Sequence, residues 1–319
     1  MEKLKAVFLD AHTLDPGDND MSILNSIVDL TSYPRTDKSE IIERSHDADI
    51  LIVNKCKIES ETIEQIQGLK LIQVAATGFN NVDIQSAASK GIPVCNISGY
   101  STSSVAQHVF AMLLAYFNES RRYSQEVSQG SWSSSNDFSY WHAPIKELAG
   151  KKLGILGYGD IGKAVSRIAL AFGMQVLVSH TRKLEDMDGL YFVKQEEMFR
   201  ACDIITLHAP LNEATKHIIN RHNINLMQAH AVLVNTARGG LVNNADLKKA
   251  LEAGRIEAAL LDVLDQEPPD ASHPLLNLDN CYITPHQAWA SLESRQRLLS
   301  MLYDSISAFI SGKTLNRVN

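Results

Sequence analysis

The sequence predicts an α/β chain made of two doubly wound, parallel-sheet domains. Three observations carry this expectation. The chain has 319 residues, enough for about two domains. Short apolar runs of strand length alternate with longer polar stretches, as βαβ units require. Two such series occur, and between them lie a long amphipathic segment and a Ser-rich, aromatic one.

In the first series KAVFLD (5–10), DADILIVNK (47–55), GLKLIQVAAT (68–77) and GIPVCN (91–96) read as strands, with polar helical stretches between them. SVAQHVFAMLLAYFNESRRYSQEV (104–127) has apolar residues at helical spacing and predicts one long helix. QGSWSSSNDFSYWHAP (129–144) carries Gly and Pro and reads as a loop, although Trp132, Phe138, Tyr140 and Trp141 want packing partners. KKLGILGYGDIGKAVSRIALAFGMQVLVS (151–179) predicts strand, glycine turn, helix and strand. DIITLHA (203–209), AVLVNTA (231–237), AALLDVL (258–264) and CYITPH (281–286) continue the strands. NNADLKKALEAG (243–254) is a helix with an Asn or Asp cap and a Gly stop, and 291–313 is a last amphipathic helix. The first block covers about 1–100 and the second about 101–285; spacing leaves the last helix open to either block.

Hydrophobic residues make up 45% and charged residues 21%, and the net charge is −7. That balance argues against a nucleic-acid-coating protein, which needs clustered Lys and Arg. Cys56, Cys95, Cys202 and Cys281 form no CxxC pair, so no redox or zinc motif is present. The four-residue apolar run near the N-terminus is short for a signal peptide. No run reaches the roughly 18 residues of a membrane helix. A reduced, cytoplasmic setting is the default expectation.

Gly157-Tyr158-Gly159-Asp160-Ile161-Gly162 matches G-x-G-x-x-G between a strand and a helix, the context that gives the pattern meaning. Its glycines serve a tight turn, close approach of a pyrophosphate, and close helix–strand packing. An NAD site would place an acid about 20 residues on, against the ribose hydroxyls. Here QVLVS ends in Ser179-His180-Thr181-Arg182-Lys183 instead. Ser179 and Thr181 can donate hydrogen bonds, and Arg182 and Lys183 can pair with a 2′-phosphate. This chemistry tolerates or favours NADPH; the alternatives are a solvated basic turn beside an NADH site, and Glu185 folding back onto the ribose, which would favour NADH.

Three residues fall just past strands, where parallel sheets bind ligands. Arg238 follows VLVNTA, Glu267 follows AALLDVL, and His286 follows CYITP. Singly, each has an ordinary reading: a solvated charge, a loop residue before two prolines, a cap. Together they suit hydride transfer to a 2-keto acid. An Arg fork holds carboxylate and keto oxygen, a His protonates the developing alkoxide, and a nearby carboxylate favours the charged imidazolium.

LGILGYGDIGKAV, LHAPLNEAT, LVNTARGGLVN, LLDVLDQEPP and ITPHQAW, in this order, resemble the D-2-hydroxyacid dehydrogenase family. GYSTSSVAQHVFAMLL and FSYWHAPIKELAGKKLGILG are most similar to its glycerate dehydrogenase (hydroxypyruvate reductase) branch, in which Gln107 stands where many other branches carry Glu. The resemblance implies a flavodoxin-like substrate domain (1–100 plus 286–319) and a Rossmann dinucleotide-binding domain (101–285). It places the last helix on the first domain. It implies Arg238 as substrate anchor, His286 as acid–base and Glu267 as its partner. Thr77 and Gly78, in VAATGFNNVD, correspond to the loop whose N–H groups hold the substrate carboxylate. Cofactor contacts are implied at the glycine turn, at His180, Thr181 and Arg182, at His208, Pro210 and Thr215, at Thr236 and Ala237, and at Asp262, the acid that positions the nicotinamide amide. NAD-preferring members usually carry Asp where His180 stands. Members are usually homodimers through the long helix and aromatic loop, and Trp141 is the candidate to reach a neighbour's active site; a structural Trp in that contact is the other reading.

The expected activity is NAD(P)H-dependent reduction of a small 2-keto acid, hydroxypyruvate or glyoxylate, to D-glycerate or glycolate. The alternatives are another D-2-hydroxy acid (phosphoglycerate, or a branched or aromatic one) and a non-catalytic nucleotide sensor. Retention of Arg238, Glu267 and His286 argues against the sensor. A phosphorylated substrate would want extra cations in the first block. Lys55 follows ILIVN there, and the sequence shows no clear cationic cluster around it.

Overall fold

The computed structural model describes residues 3–181 and 185–319. The chain folds as two compact units, Met1–Ser101 with Trp289–Asn319, and Thr102–Ala288.

The first unit holds five parallel strands: β1 (Lys5–Phe8), β2 (Asp29–Ser32), β3 (Ile50–Val53), β4 (Leu71–Val74) and β5 (Val94–Cys95), in the order β2-β1-β3-β4-β5. Strand β3 shows why a continuous apolar run belongs in the middle. All four of its residues are buried. Ile50 and Ile52 enter one core cluster, Leu51 and Val53 the opposite one, the period of two that a strand covered on both faces must have. The terminal helix Leu292–Ile310 lays Leu298, Leu299, Leu302 and Ile306 beside Phe8, Ile50 and Ile52. Buried Gln73 of β4 accepts from Ser305 Oγ of that helix at 2.7 Å and donates to the carbonyls of Val74 and Cys95. The buried Arg295 guanidinium reaches Asp18 through both terminal nitrogens.

The second unit holds seven parallel strands: β6 (Lys152–Leu156), β7 (Gln175–Ser179), β8 (Leu190–Phe192), β9 (Ile204–Leu207), β10 (Val232–Asn235), β11 (Ala258–Leu261) and β12 (Cys281–Ile283). Their order, β12-β11-β10-β9-β6-β7-β8, reverses direction at β6, which defines a nucleotide-binding crevice between β6 and β9. Helix Thr102–Asn118 buries Val109 and Leu113 with Val165 and Ala169 of helix Asp160–Ala171.

The structure differs from the sequence expectation in two respects. The long helix is two helices, Thr102–Asn118 and Ser120–Ser128, broken at Glu119, whose φ is 46°. The first has seven buried side chains and the second none, so no core holds the polar stretch in line with the apolar one. The edge strands β2 and β8 carry no long apolar run, because each is paired on one side only.

Candidate active site

The glycine turn follows β6 and opens helix Asp160–Ala171, so Asp160 and Ile161 are its first residues. Gly157 has φ 95°, and a Cβ there would lie 2.8 Å from the Ala209 nitrogen and the His208 carbonyl. A Cβ on Gly162 would run into the Gly157 carbonyl oxygen. Both positions are glycine because the protein itself crowds them. Gly159 is the contrast: among the described residues, nothing lies within 4 Å of its Cβ position. Packing leaves that space open, and a pyrophosphate approaching the backbone is what an added side chain would obstruct. Tyr158 packs its ring edge-on against Phe192 at 5.3 Å and lies 3.4 Å from Ser166 Oγ.

His180 and Thr181 directly follow β7 and are half-buried and exposed; Arg182 lies outside the described residues. His208 follows β9, with Nε2 3.0 Å from Thr206 Oγ1. Burial pushes its imidazole down to about 3, so it stands neutral at physiological pH. Pro210 and Thr215 close a turn on each other, the threonine hydroxyl donating to the Pro210 carbonyl at 2.6 Å. Thr236 Oγ1, at the end of β10, is buried and finds no partner among the described residues. A buried hydroxyl without a partner is costly, and a bound cofactor would relieve it. This orphaned hydroxyl and the open Gly159 fit a dinucleotide.

Arg238 sits in the turn after β10, just before the 3-10 helix Gly239–Leu241. Asn235 brackets that turn, accepting from the Ala237 N–H at 3.0 Å and donating to the Arg238 carbonyl at 2.9 Å. Arg238 Nη1 donates to the Ala237 carbonyl at 2.7 Å. A Cβ on Gly239 would overlap the Leu264 backbone. The arginine turn is therefore pressed onto the loop leading to Glu267.

Glu267 works in two directions. Its Oε1 accepts from the Leu264 N–H at 2.9 Å, and its Oε2 lies 2.6 Å from His286 Nδ1. His286 adopts φ 50°, a conformation uncommon for a side-chain-bearing residue and frequent at functional sites. Asp262 maintains it. Its carbonyl accepts from the His286 N–H at 2.8 Å, and its carboxylate accepts from the Gln287 N–H at 3.0 Å, the Ala288 N–H at 2.9 Å and Thr284 Oγ1 at 2.6 Å. His108 Nε2 lies 3.1 Å from Thr284 Oγ1 and 3.5 Å from Asp262 Oδ1. Burial by itself would raise the Asp262 carboxyl. The hydrogen bonds from His108, Thr284 and the two amides outweigh burial and hold it below the usual carboxylate value.

Sequence reasoning missed Asn235, His108, Thr284 and the role of Gly239. The only signal was a polar residue inside an apolar run, which spacing does not connect to any partner. Thr77 and Gly78 lie after β4 in the first unit; Thr77 Oγ1 donates to the Ile97 carbonyl at 3.0 Å, and its own carbonyl accepts from Asn96 Nδ2 at 2.8 Å. Among the described residues no His, Cys, Asp or Glu group could hold a metal, and no helix is long and apolar enough to cross a membrane.

Residues 110–288 match the family model of the D-isomer specific 2-hydroxyacid dehydrogenase NAD binding domain. A hydroxypyruvate reductase of Blautia hydrogenotrophica is 40% identical over 99% of this chain and all of its own length. A glycerate dehydrogenase of Methylorubrum extorquens is 40% identical over 98% of each chain. Among solved structures, a D-lactate dehydrogenase of Aquifex aeolicus complexed with NAD and lactic acid is 30% identical, covers 96% of each chain and has a TM-score of 0.83. An NADPH-dependent glyoxylate/hydroxypyruvate reductase of Sinorhizobium meliloti, in complex with NADP and malonate, is 25% identical, covers 99% of this chain and 97% of its own, and has a TM-score of 0.84. With more than half of the chain matched by the family model and relatives at 40% identity along nearly all of it, the chain belongs to the D-isomer-specific 2-hydroxyacid dehydrogenase family.

Proposed function

We propose that the protein reduces a small 2-keto acid, hydroxypyruvate or glyoxylate, to D-glycerate or glycolate with NAD(P)H. The His286–Glu267 pair at 2.6 Å, on a loop pressed against the Arg238 turn, carries this reading. The names of the relatives at 40% identity support the substrate class. When bound, the reduced nicotinamide supplies the hydride that reaches the carbonyl carbon. Arg238 presents its guanidinium to the substrate carboxylate and keto oxygen. Thr77 and Gly78 are assigned to the same carboxylate. As the carbonyl electron pair settles on oxygen, His286 donates its Nε2 proton there, and it takes the proton back in the reverse direction. Glu267 engages Nδ1, which fixes the ring orientation and leaves Nε2 for this transfer. Asp262 holds the peptide on either side of the ring in addition to its assigned contact with the nicotinamide amide.

For the cofactor, the residues after β7 favour or tolerate NADPH: no acid is present at His180 or Thr181. We assign Gly157 to Gly162, His180, Thr181, Arg182, His208, Pro210, Thr215, Thr236, Ala237 and Asp262 to cofactor contact. A homodimer is proposed from the loop 129–144, where Phe138 is 91% and Trp141 64% exposed, a cost a second copy would remove. Sedimentation equilibrium checks this, and a monomer at micromolar concentration refutes it. A cytoplasmic setting is supported by four free thiols.

The test of function is a steady-state screen of hydroxypyruvate, glyoxylate, pyruvate and longer keto acids, each with NADH and NADPH. The highest kcat/KM is expected for hydroxypyruvate or glyoxylate. A preference for branched or aromatic keto acids, or no turnover, overturns the assignment.

A further inference from the structure

Helix Thr102–Asn118 carries two polar residues on a side that packing alone would fill with apolar ones. Val105, Val109 and Met112 are buried, and His108 stands among them in the i, i+3, i+4, i+7 row of a core-facing stripe. Ser104 lies one turn before His108, on the same side of the helix. The structure gives the two residues one target. Ser104 Oγ donates to the Ala288 carbonyl at 2.6 Å. His108 Nε2 lies 3.1 Å from Thr284 Oγ1 and 3.5 Å from Asp262 Oδ1. The helix thus grips the segment 284–288 at both ends, and His286 is its midpoint.

The bonds around Thr284 place the proton on His108. A threonine hydroxyl has one hydrogen to give, and Thr284 gives it to Asp262 Oδ1 at 2.6 Å. If that hydrogen turned to His108 instead, the hydroxyl oxygen would face the carboxylate oxygen with nothing between them. Asp262, whose side chain is 0% exposed, would then lose a donor that a buried carboxylate needs. Thr284 Oγ1 therefore accepts from His108, and Nε2 carries a hydrogen in the neutral and the charged ring alike. His108 donates to Thr284 and Thr284 to Asp262, and bonds in such a chain strengthen one another.

The far end of the chain is the catalytic loop. The Asp262 carboxylate accepts from the N–H groups of Gln287 and Ala288, the two residues after His286, and the Asp262 carbonyl accepts from the His286 N–H. Burial pushes the Asp262 carboxyl up, and the His108 bond is foremost among those that bring it down. A carboxylate kept charged holds amides more strongly than a neutral acid does. These bonds maintain φ 50° at His286, which sets the direction of the ring that meets Glu267.

We infer that His108 is a positioning residue for His286, acting through Thr284 and Asp262, with Ser104 securing the other end of the same segment. The inference rests on His286 as the acid–base of the proposed reaction.

His108→Leu suits the apolar stripe and donates nothing. With hydroxypyruvate and saturating reduced cofactor, kcat should fall about 5- to 10-fold, the loss of one part-buried hydrogen bond. KM should stay within about twofold, because Arg238, Thr77 and Gly78 are untouched. His108→Gln sets an amide N–H near the Nε2 position and should bring kcat back to within about twofold of the parent. A parental kcat in His108→Leu, or equal losses in the Leu and Gln variants, overturns the positioning role. Thr284→Val breaks the same chain, so the double variant with His108→Leu should lose no more than Thr284→Val alone; losses that multiply overturn the route through Thr284. Circular dichroism verifies that the variants fold. The proton is read without turnover, by nitrogen NMR of the protein labelled at histidine, with the His108 signals identified by their absence in His108→Gln. A hydrogen on Nε2 is expected, and a bare Nε2 overturns the chain. A parent that turns over no 2-keto acid would refute the proposed reaction instead, while the NMR result still decides the contact between His108 and Thr284.

Discussion

Replacing Glu267 with Gln puts the two-way role of its carboxylate to a direct test. Oε1 accepts from Leu264 at 2.9 Å, and Oε2 meets His286 Nδ1 at 2.6 Å. A glutamine has only one acceptor oxygen to divide between them. If that oxygen turns to Leu264, the NH2 group faces Nδ1, which must then present a lone pair. An imidazolium carries protons on both nitrogens and finds no partner for one of them. If the oxygen turns to His286, the NH2 group opposes the Leu264 N–H and the loop loses its hold. Either way one charge-assisted hydrogen bond is lost, on the order of 1.5–3 kcal/mol. At about 1.36 kcal/mol per tenfold, kcat/KM for hydroxypyruvate reduction falls roughly 10- to 150-fold. Initial rates at saturating reduced cofactor measure the loss, and a fluorescence titration verifies that cofactor affinity is retained. A kcat/KM within about threefold of the parent refutes a catalytic role for the pair.

His286→Ala is expected to lower kcat by at least about 10²-fold while cofactor binding survives; a parental kcat would sink the acid–base assignment. Arg238→Lys keeps the charge and loses the fork, so kcat/KM drops by about tenfold or more; an unchanged value rejects Arg238 as the anchor. Thr236→Val removes the buried hydroxyl that has no partner among the described residues. The melting temperature of the apoprotein should hold or rise, and the cofactor Kd should weaken about 2- to 10-fold; an unaltered Kd takes Thr236 out of the cofactor site. Burial by itself would raise the Asp203 carboxyl, but the Lys152 N–H and His230, each at 2.7 Å, hold it below its usual 3.8. A depressed carboxylate stabilises the fold above its unfolded value and loses that contribution as pH falls through the folded one. Asp203→Asn should therefore cost on the order of 1 kcal/mol at pH 7, and the gap in urea denaturation should close as the pH drops below 3.8; a gap that is constant with pH contradicts the assignment.

Central strands were legible in the sequence because both of their faces are buried. ILIV has no polar position to interrupt the run, and the one in LIQV, Gln73, is itself buried and hydrogen-bonded. The edge strand DLTS, exposed along most of its length, carries no such run. The glycine turn was legible for a similar reason: Gly157 and Gly162 are demanded by backbone approaches of β6, its helix and the loop after β9. Arg238, Glu267 and His286 could be singled out from their places after strands. Their mutual geometry could not, because the residues that set it (Asn235, Asp262, Thr284 and the Leu264 backbone) act through contacts between separate loops.

Local pattern therefore determined the α/β class, the dinucleotide turn and the chemistry available at the strand ends, since each depends on neighbours a few residues apart. Tertiary structure decided three things that spacing along the chain left open. The terminal helix, which spacing left open between the two blocks, buries Leu298, Leu302 and Ile306 against the first sheet. The left-handed conformation of His286 is held by an aspartate 24 residues earlier in the chain. Lys55, whose sequence neighbours do not include them, shares a cavity wall with His12 and Arg35. In each case the deciding force is a packing or electrostatic contact between strands that the chain order separates and the parallel sheet makes adjacent.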